Sequence, residues 1–230
     1  MAHSLTIKRL AAPMTWKMKR KGITFVTRPL PGAHPYKLGV SLSFLLRDVL
    51  NVAETAREAR YIINNKEILI NCSKQKEHKF LVGFLDSISF TPLNQHYRVV
   101  LSTKGTLAAI SIDADEAKKK LAKIIGKQAI NTGHLQLNLS DGRNILVEKD
   151  TYKCGDSLLL EVPEQKIISH FRLEKGVPVM LTDGKHRGKL GIVEEIIKDI
   201  IVFRVDKELY RTKREYAFVL GKETPALKIV

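Results

Sequence analysis

Short apolar runs separated by turn-forming residues fill the middle of this chain, between about residues 95 and 172. The runs are HYRVVLS, TLAAISI, LQLNL, NILVE, SLLLEV and KIISHFRL, and the segments TKG, SDGR and KCGD separate several of them. Runs of this length bounded by glycine and aspartate are typical of β-strands joined by tight turns. We therefore expect a β-rich central domain that closes into a small barrel. One helix is expected inside it, over DADEAKKKLAKII, with Asp113 or Asp115 as its cap.

The preceding segment, residues 41 to about 90, predicts two helices followed by a small sheet. SLSFLLRDVLNV spaces its apolar residues as on one helical face, and Ser41 stands where an N-cap is expected. VAETAREARYIINN predicts a second helix, and EILINC and GFLDSISF predict strands. The arginines of the second helix, Arg57 and Arg60, either pair with Glu54 and Glu58 in solvent or meet a polyanion.

A glycine-rich loop dominates the C-terminal part of the chain. In TDGKHRGKLGIV, Gly184, Gly188 and Gly191 enclose a set of cations. Glycine permits positive φ and close approach of the backbone, so a tight loop could press N–H groups and cations against a phosphate backbone. The alternative is an ordinary hairpin turn with solvated lysines. The flanking apolar residues predict three strands of SH3-like size, and ELYRTKREYAFVLG predicts a further strand element.

The charge of the chain points to a polyanionic partner. The net charge is +15, from 39 Lys and Arg against 24 Asp and Glu, which fits nucleic acid or, less often, an anionic membrane surface. Nine cations precede Asp48, the first acidic residue. Because four prolines interrupt residues 1–40, we expect an extended basic arm that is disordered until it meets RNA. A disordered tail, or a nuclear-localisation patch around KMKRK, is the alternative.

Residue patterns typical of catalysis and metal binding are missing. The seven histidines are scattered, and the sequence contains no HExxH, CxxC, phosphate loop or GxSxG. Cys72 and Cys154 stand far apart and are expected to be reduced thiols. We therefore expect no enzyme, metal or cofactor. The sequence has no apolar run of membrane-spanning length and no signal-peptide pattern, so a cytoplasmic location is expected.

Four blocks of the sequence together resemble the small-subunit ribosomal protein family S4e, of archaeal and eukaryotic type. Residues 8–38 resemble its N-terminal arm, with Lys-Arg, Ala-Ala-Pro, Trp and Arg-Pro elements. Residues 41–71 resemble the S4-type alpha-L RNA-binding module, and residues 82–90 resemble the segment that closes it. Residues 175–193 resemble a KOW motif. The order and spacing of these blocks cover nearly the whole chain.

The resemblance implies a multidomain α+β protein. We expect a basic extended N-terminal arm over 1–40, an alpha-L module over 41–92 and a β-rich central domain over 93–172. A C-terminal SH3-like KOW β-barrel with a strand and tail is expected over 173–230. The chain ends soon after YAFVLGKETPALKIV, whereas eukaryotic members usually run longer, so an archaeal source is expected.

The residues expected to bind RNA are mostly cations of the arm, the alpha-L helices, the KOW loop and the last strand. Trp16 is expected to dock an apolar crevice or to stack on a base. The full set is Lys8, Arg9, Trp16, Lys17, Lys19, Arg20, Lys21, Arg28, Lys37, Arg47, Arg57, Arg60, Lys66, Lys185, His186, Arg187, Lys189, Arg211, Lys213 and Arg214.

The function implied is that of a structural constituent of the small ribosomal subunit that binds its ribosomal RNA and aids folding and assembly. Neighbouring small-subunit proteins are expected partners; a membrane or a small-molecule substrate is not. Two other classes use the same modules: an RNA-modification enzyme with an accessory alpha-L module, and a KOW-type transcription elongation factor. The first should carry a catalytic domain, and the second lacks an alpha-L module and a basic Trp-bearing arm.

Overall fold

The computed structural model describes residues 6–130, 133–148, 150–205 and 208–229. The chain divides into two compact units: the first runs to Val100 and includes Thr106–Lys118, and the second comprises Leu101–Gly105 and the chain from Lys119 onward. Residues 1–5 of the expected arm, including His3, lie outside the described residues. Within the described ranges, none of the helices combines the length and apolar character needed to span a bilayer.

The first unit combines short helices with small antiparallel sheets. A hairpin pairs β1 with β2, a second pair joins β3 to β6, and five strands follow the order β5-β4-β7-β8-β9. The elements are β1 (Thr6–Lys8), β2 (Phe25–Thr27), β3 (Gly39–Ser41), α1 (Leu42–Phe44), α2 (Ala56–Asn65), β4 (Ile68–Ile70), β5 (Ser73–Lys74), β6 (Leu81–Gly83), β7 (Ser87–Phe90), β8 (Gln95–Leu101), β9 (Leu107–Ile112) and α3 (Ala114–Ala117).

Side-chain caps fix where the two main helices begin. The predicted N-cap Ser41 is confirmed: its Oγ accepts the Phe44 N–H over 3.3 Å. Helix α1 continues as a π-helical turn over Leu45–Val49. Helix α2 starts later than the apolar pattern suggested, because Thr55 caps it by accepting the Glu58 N–H over 3.1 Å.

Residues 6–38 form a packed lobe, called the N-terminal lobe below, and this corrects the expectation of an extended, disordered arm. Trp16 is 2 % exposed, and its Nε1–H donates to the Gly39 carbonyl over 2.9 Å. Its ring lies 5.5 Å from that of Tyr36 and 5.2 Å from that of Phe44. Burial of so large a side chain helps to offset the entropy lost on ordering the segment.

The second unit contains two five-stranded antiparallel sheets. Their strand orders are β12-β11-β10-β13-β14 and β18-β17-β16-β15-β19, so the last strand of the second sheet returns beside its first. The elements are β10 (Lys119–Ala129), β11 (Leu135–Leu139), β12 (Asn144–Val147), β13 (Ser157–Glu161), β14 (Lys166–Phe171), β15 (Pro178–Leu181), β16 (Leu190–Ile197), β17 (Ile200–Val205), β18 (Glu208–Lys213) and β19 (Ala217–Val219).

The helix expected in the central region needs correction. The helix expected over DADEAKKKLAKII is only the four residues of α3, and KKLAKII opens strand β10 instead. Pairing with β11 and β13 places Leu121, Ala122 and Ile124 in a core, which outweighs the helical propensity of the run. The runs HYRVVLS and TLAAISI form strands that belong largely to the sheet of the first unit.

One face of the central sheet carries an apolar core. Its core contains Ala122, Ile124, Leu137, Leu139, Leu158 and Leu160. Among the described residues the edge strands β12 and β14 are not hydrogen-bonded to each other, so this sheet does not close into the expected small barrel.

A half-buried lysine joins β10 to the start of β19 and the segment before it. Lys123 Nζ donates to the carbonyls of Glu215 and Ala217, each over 2.7 Å, and lies 3.4 Å from that of Arg214. Burial lowers the pKa of Lys123 to about 8, although Glu215 opposes the shift. The ammonium therefore costs desolvation energy while it supplies donors to carbonyls that would otherwise lack them.

Two glycines of the C-terminal loop are required by the local geometry. At Gly188, φ is +82°, and a Cβ would lie 2.1 Å from the Ser102 carbonyl oxygen. At Gly191 the backbone is not left-handed, but a Cβ would lie 2.7 Å from the Arg204 carbonyl oxygen on the paired strand. The first glycine therefore allows a turn against neighbouring backbone, and the second allows close approach of strands.

Replacement of Trp16 by alanine should destabilise the first unit by about 3–5 kcal/mol, because it leaves a cavity and an unpaired Gly39 carbonyl. Urea unfolding measures the change. Met14→Ala is the matched control, since Met14 in the same lobe is 81 % exposed and its loss should change stability by less than about 0.5 kcal/mol. Equal midpoints for both variants would contradict the packed lobe.

The burial of Lys123 predicts a pH-dependent stability. Since its pKa is about 8 in the folded chain against an ordinary 10.5, the unfolded state binds more protons between these values, and stability rises with pH there. The unfolding free energy of the native chain, relative to Lys123→Met, should rise by about 2 kcal/mol from pH 7 to pH 10. A difference independent of pH would show that the carbonyls keep the ammonium at its ordinary pKa.

Gly188→Ala tests the close backbone approach. Gly176 has the same φ of +82°, but nothing lies within 4 Å of its Cβ position, so Gly176→Ala should cost only the left-handed strain of roughly 1–2 kcal/mol. Gly188→Ala should cost about 1–3 kcal/mol more, from overlap with Ser102. Chemical denaturation of both variants compares them directly, and equal losses would contradict the stated contact.

Candidate nucleic-acid interface

The N-terminal lobe displays many of the predicted cations on its surface. Six of the nine cations that precede Asp48 are exposed, and the hairpin register sets Lys8 opposite Phe25. The exposed six are Lys8, Lys17, Lys19, Lys21, Arg28 and Lys37. Cations in this number give a field able to attract a phosphate backbone.

Large apolar side chains lie exposed between these cations. Leu10 is 80 % exposed, Ile23 is 65 % exposed and Phe25 is 52 % exposed. The sequence did not single out these three residues as RNA-binding, although apolar residues that alternate with cations in the N-terminal segment are a pattern that indicates such a surface. A surface that mixes cations with apolar side chains can contact both phosphates and unstacked bases.

Two of the cations predicted to bind RNA instead form hydrogen bonds inside the lobe. Arg9 is 6 % exposed, donates to the Lys19 carbonyl over 2.9 Å and lies 3.3 Å from the Asp48 carboxylate. Arg20 donates to the carbonyls of Arg9, Ala12 and Pro13 at 2.7–3.0 Å. Their guanidinium groups donate to backbone carbonyls inside the lobe, and the buried Arg9 is therefore not available on the candidate surface.

Trp16 is also withdrawn from that surface. Of its two expected roles, the apolar crevice is the one found, because Tyr36 and Phe44 pack against its ring and its N–H is bonded. Stacking on a base would require an exposed ring face, and a 2 % exposed side chain lacks one.

Asp48 changes the role expected of Arg47. The Arg47 guanidinium donates twice to one Asp48 oxygen, over 2.8 and 2.6 Å, while the other Asp48 oxygen faces Arg9. The first acidic residue of the chain thus partly neutralises two of the cations before it. Arg47 is half-buried, so it offers less charge to an external phosphate than Arg57 and Arg60 do.

Helix α2 presents its arginines to solvent. Arg57, Arg60 and Lys66 are exposed, and in the part of the chain that the structure describes neither arginine is in an ion pair. Glu58 caps the helix instead, accepting the Glu54 N–H over 2.9 Å. Burial lowers the pKa of His78, and the charge of Arg60 lowers it further. Of the two alternatives, solvent pairing with Glu54 and Glu58 is therefore not found.

The glycine loop of the second unit holds most of its cations against the protein. Lys185 is exposed, but Arg187 Nε donates to the Gly105 carbonyl over 3.0 Å. Lys189 Nζ lies 5.0 Å from the centre of the Tyr210 ring, a cation–π contact. The loop is thus a rigid feature with one fully exposed lysine, instead of a flexible turn with solvated cations.

The remaining predicted cations lie on β18 and just after it. Arg211 and Lys213 are exposed and alternate with Tyr210, so they point to the opposite face of the sheet from that ring. Arg214 donates to the Cys154 carbonyl over 3.0 Å. The structure therefore does not gather the C-terminal cations into one patch.

Across the described ranges, no three His, Cys, Asp or Glu side chains come together as metal ligands would. Among the described residues, neither Cys72 nor Cys154 forms a disulfide. What the surface can do chemically is bind an anionic polymer through ammonium, guanidinium and apolar groups.

Comparison with known proteins agrees with the sequence blocks. Residues 93–167 match the family described as Ribosomal family S4e, and residues 1–37 match the RS4NT (NUC023) domain. The small ribosomal subunit protein eS4 of Methanocaldococcus jannaschii is 40 % identical over 97 % of this chain and 96 % of its own length. The protein of that name from Ignicoccus hospitalis is 39 % identical, over 97 % and 94 %.

A solved structure extends the likeness to three dimensions. The 30S ribosomal protein S4e from Thermoplasma acidophilum superposes with a TM-score of 0.72 at 27 % identity, covering 84 % of this chain and 99 % of that one. An identity of 40 % over nearly the full length of both sequences goes well beyond a shared fold. The chain therefore belongs to the S4e family of ribosomal proteins.

Proposed function

We propose that this chain is a structural constituent of the small ribosomal subunit that binds small-subunit ribosomal RNA and helps it to fold. Membership of the S4e family supports this, since relatives matched over nearly their full length bear the name small ribosomal subunit protein eS4. Its place is the cytoplasmic ribosome, with rRNA and neighbouring ribosomal proteins as partners. It has no catalytic role.

The observation that carries the RNA-binding part of the proposal is the exposed charge of the N-terminal lobe. Six cations there face outward, and the lobe contains no acidic residue. A surface of a single sign normally repels itself, and counterion release on binding phosphates would make such a surface favourable. The exposed Leu10, Ile23 and Phe25 favour an RNA that also offers unpaired bases.

The finer assignment of modules is part of the same proposal. Two capped helices followed by β4 support an alpha-L module over 41–92, whose exposed arginines Arg57 and Arg60 would face RNA. The return of β19 beside β15 supports an SH3-like KOW unit over 173–230. RNA shape would supply the specificity, because the deep major groove of A-form RNA is closed to side chains. The enzyme and elongation-factor alternatives are not favoured by the family assignment.

The location is tested by sedimentation of cell extract through a density gradient at moderate salt, with detection of this chain. We expect it to migrate stoichiometrically with the small subunit and with assembled ribosomes, and to be released only at high salt. A chain found mainly in free fractions, or with RNA polymerase, would overturn the proposal.

The RNA-binding surface is tested by charge removal in the N-terminal lobe. Lys17, Lys19 and Lys21, all exposed, are replaced together by glutamine. Binding to a small-subunit rRNA transcript is then measured across salt concentrations. The slope of log affinity against log salt should fall by about 2 to 3, because each lost phosphate contact contributes about 0.7–0.9.

A matched variant controls for the loss of net charge. Lys153, Lys198 and Lys222 are exposed in the second unit, and their replacement by glutamine removes the same three charges from outside the lobe. This control should change the slope by less than about 1. Equal slopes for the two triple variants would contradict a role of the lobe beyond general charge.

A further inference from the structure

An aromatic cluster lies beneath the glycine loop of the second unit. The register of β17 and β18 sets Phe203 opposite Tyr210, with ring centres 5.8 Å apart. The loop places His186 over this pair, 4.2 Å from Tyr210 and 6.0 Å from Phe203. A pair of strands thus supplies an aromatic floor on which the imidazole rests.

The position of His186 is fixed by hydrogen bonds of the three residues that follow it. Arg187 Nε bonds to the Gly105 carbonyl over 3.0 Å, and the Gly188 N–H donates to the Leu181 carbonyl over 2.7 Å. The Lys189 N–H returns to the carbonyl of His186 over 3.1 Å. The imidazole is thus ordered before any ligand arrives, which reduces the entropy lost on binding.

The imidazole is partly exposed, whereas the ring under it is not available to a ligand. Phe203 is fully buried, and Tyr210 is half-buried beneath His186 and Lys189. Both aromatic neighbours of His186 come from the same sheet face, so its other side faces away from the sheet. An imidazole that leans on an aromatic support, with 41° between its plane and that of Tyr210, and that is open on its other side offers a surface for stacking.

The charges around this ring select the ligand. The exposed Lys185 and the nearby Lys189 flank it. Partial burial lowers the pKa of His186, and the charges of Lys189 and Lys185 lower it further, so the ring stacks as neutral imidazole at pH 7. A planar neutral ring bordered by ammonium groups suits an unstacked nucleobase whose flanking phosphates meet the lysines.

We infer that His186, supported by Tyr210, is a stacking platform for one unpaired base of RNA, with Lys185 holding an adjacent phosphate. This rests on the proposed function and deepens it, because it specifies how the loop recognises RNA. The loop would then prefer single-stranded or bulged RNA to a continuous duplex, since a paired base cannot leave its stack without cost.

The experiment uses the full chain and two labelled probes: a 12-nucleotide oligoadenylate and a 12-base-pair RNA duplex. Affinity for each is measured by fluorescence anisotropy at several salt concentrations. His186→Ala should weaken binding of the single strand about tenfold and binding of the duplex less than twofold, with an unchanged salt slope. His186→Phe should bind the single strand within twofold of the native chain, because a phenyl ring can stack in the same place.

Lys185→Gln is the matched charge variant in the same loop. It should lower the slope of log affinity against log salt by about 0.7–0.9 for both probes. It should not weaken binding of the single strand more than binding of the duplex. Native-like urea midpoints for the three variants would show that each one folds.

The outcomes separate the platform from the wider proposal. Three results would overturn the platform alone. His186→Ala could bind the single strand as tightly as the native chain does, or it could bind both probes more weakly to the same degree. His186→Phe could also fail to restore binding of the single strand. A native chain that binds neither probe nor a small-subunit rRNA transcript would overturn the proposed function as well.

Discussion

The docking of Trp16 is the contact on which the arrangement of the first unit depends. Its indole is buried against Tyr36 and Phe44, and its N–H is bonded to the carbonyl of Gly39 at the start of β3. The neighbouring Thr15 adds a bond from its hydroxyl to the Lys37 carbonyl over 2.6 Å. A segment with strongly positive charge and four prolines would otherwise gain little from folding, because several of its large apolar side chains, among them Leu10, Ile23 and Phe25, stay exposed.

Once the lobe is anchored, its cations divide into two groups. Arg9 and Arg20 turn inward to satisfy carbonyls and the Asp48 carboxylate, and the lysines remain outside. The physical reason is the shape of the two side chains. A planar guanidinium can bond several carbonyls at once. An ammonium on a flexible stem is strongly hydrated, so its removal from water costs more free energy. Lys123 of the second unit departs from this pattern, because carbonyl acceptors replace part of its hydration.

In the proposed binding of RNA, the second unit would contribute through the fixed geometry of its loop more than through charge. Its loop glycines allow backbone contacts at Gly188 and Gly191 that a Cβ would prevent. The same contacts leave Lys185 as the fully exposed cation of the loop and set His186 on an aromatic support. Phosphate attraction from the N-terminal lobe and shape recognition by this loop would therefore be separate contributions to one binding function.

The sequence by itself determined the family, the β-rich character, the capped helix at Ser41 and the polyanionic partner, because these depend on local spacing and on composition. It also indicated the loop glycines, although not the distant Ser102 carbonyl that Gly188 approaches. It did not determine which cations face outward: Arg9, Arg47 and Lys17 look equivalent in a sequence, and Asp48 distinguishes them only after folding.

The tertiary structure also decided that the run after Asp113 is mainly strand, since pairing of β10 with β11 and β13 outweighs its local helical preference. The order of the N-terminal lobe and the stacking of His186 on Tyr210 depend likewise on residues more than twenty positions apart. Contacts between distant segments gain their energy from burial and from ring packing. No local pattern in the sequence records which distant partners will meet.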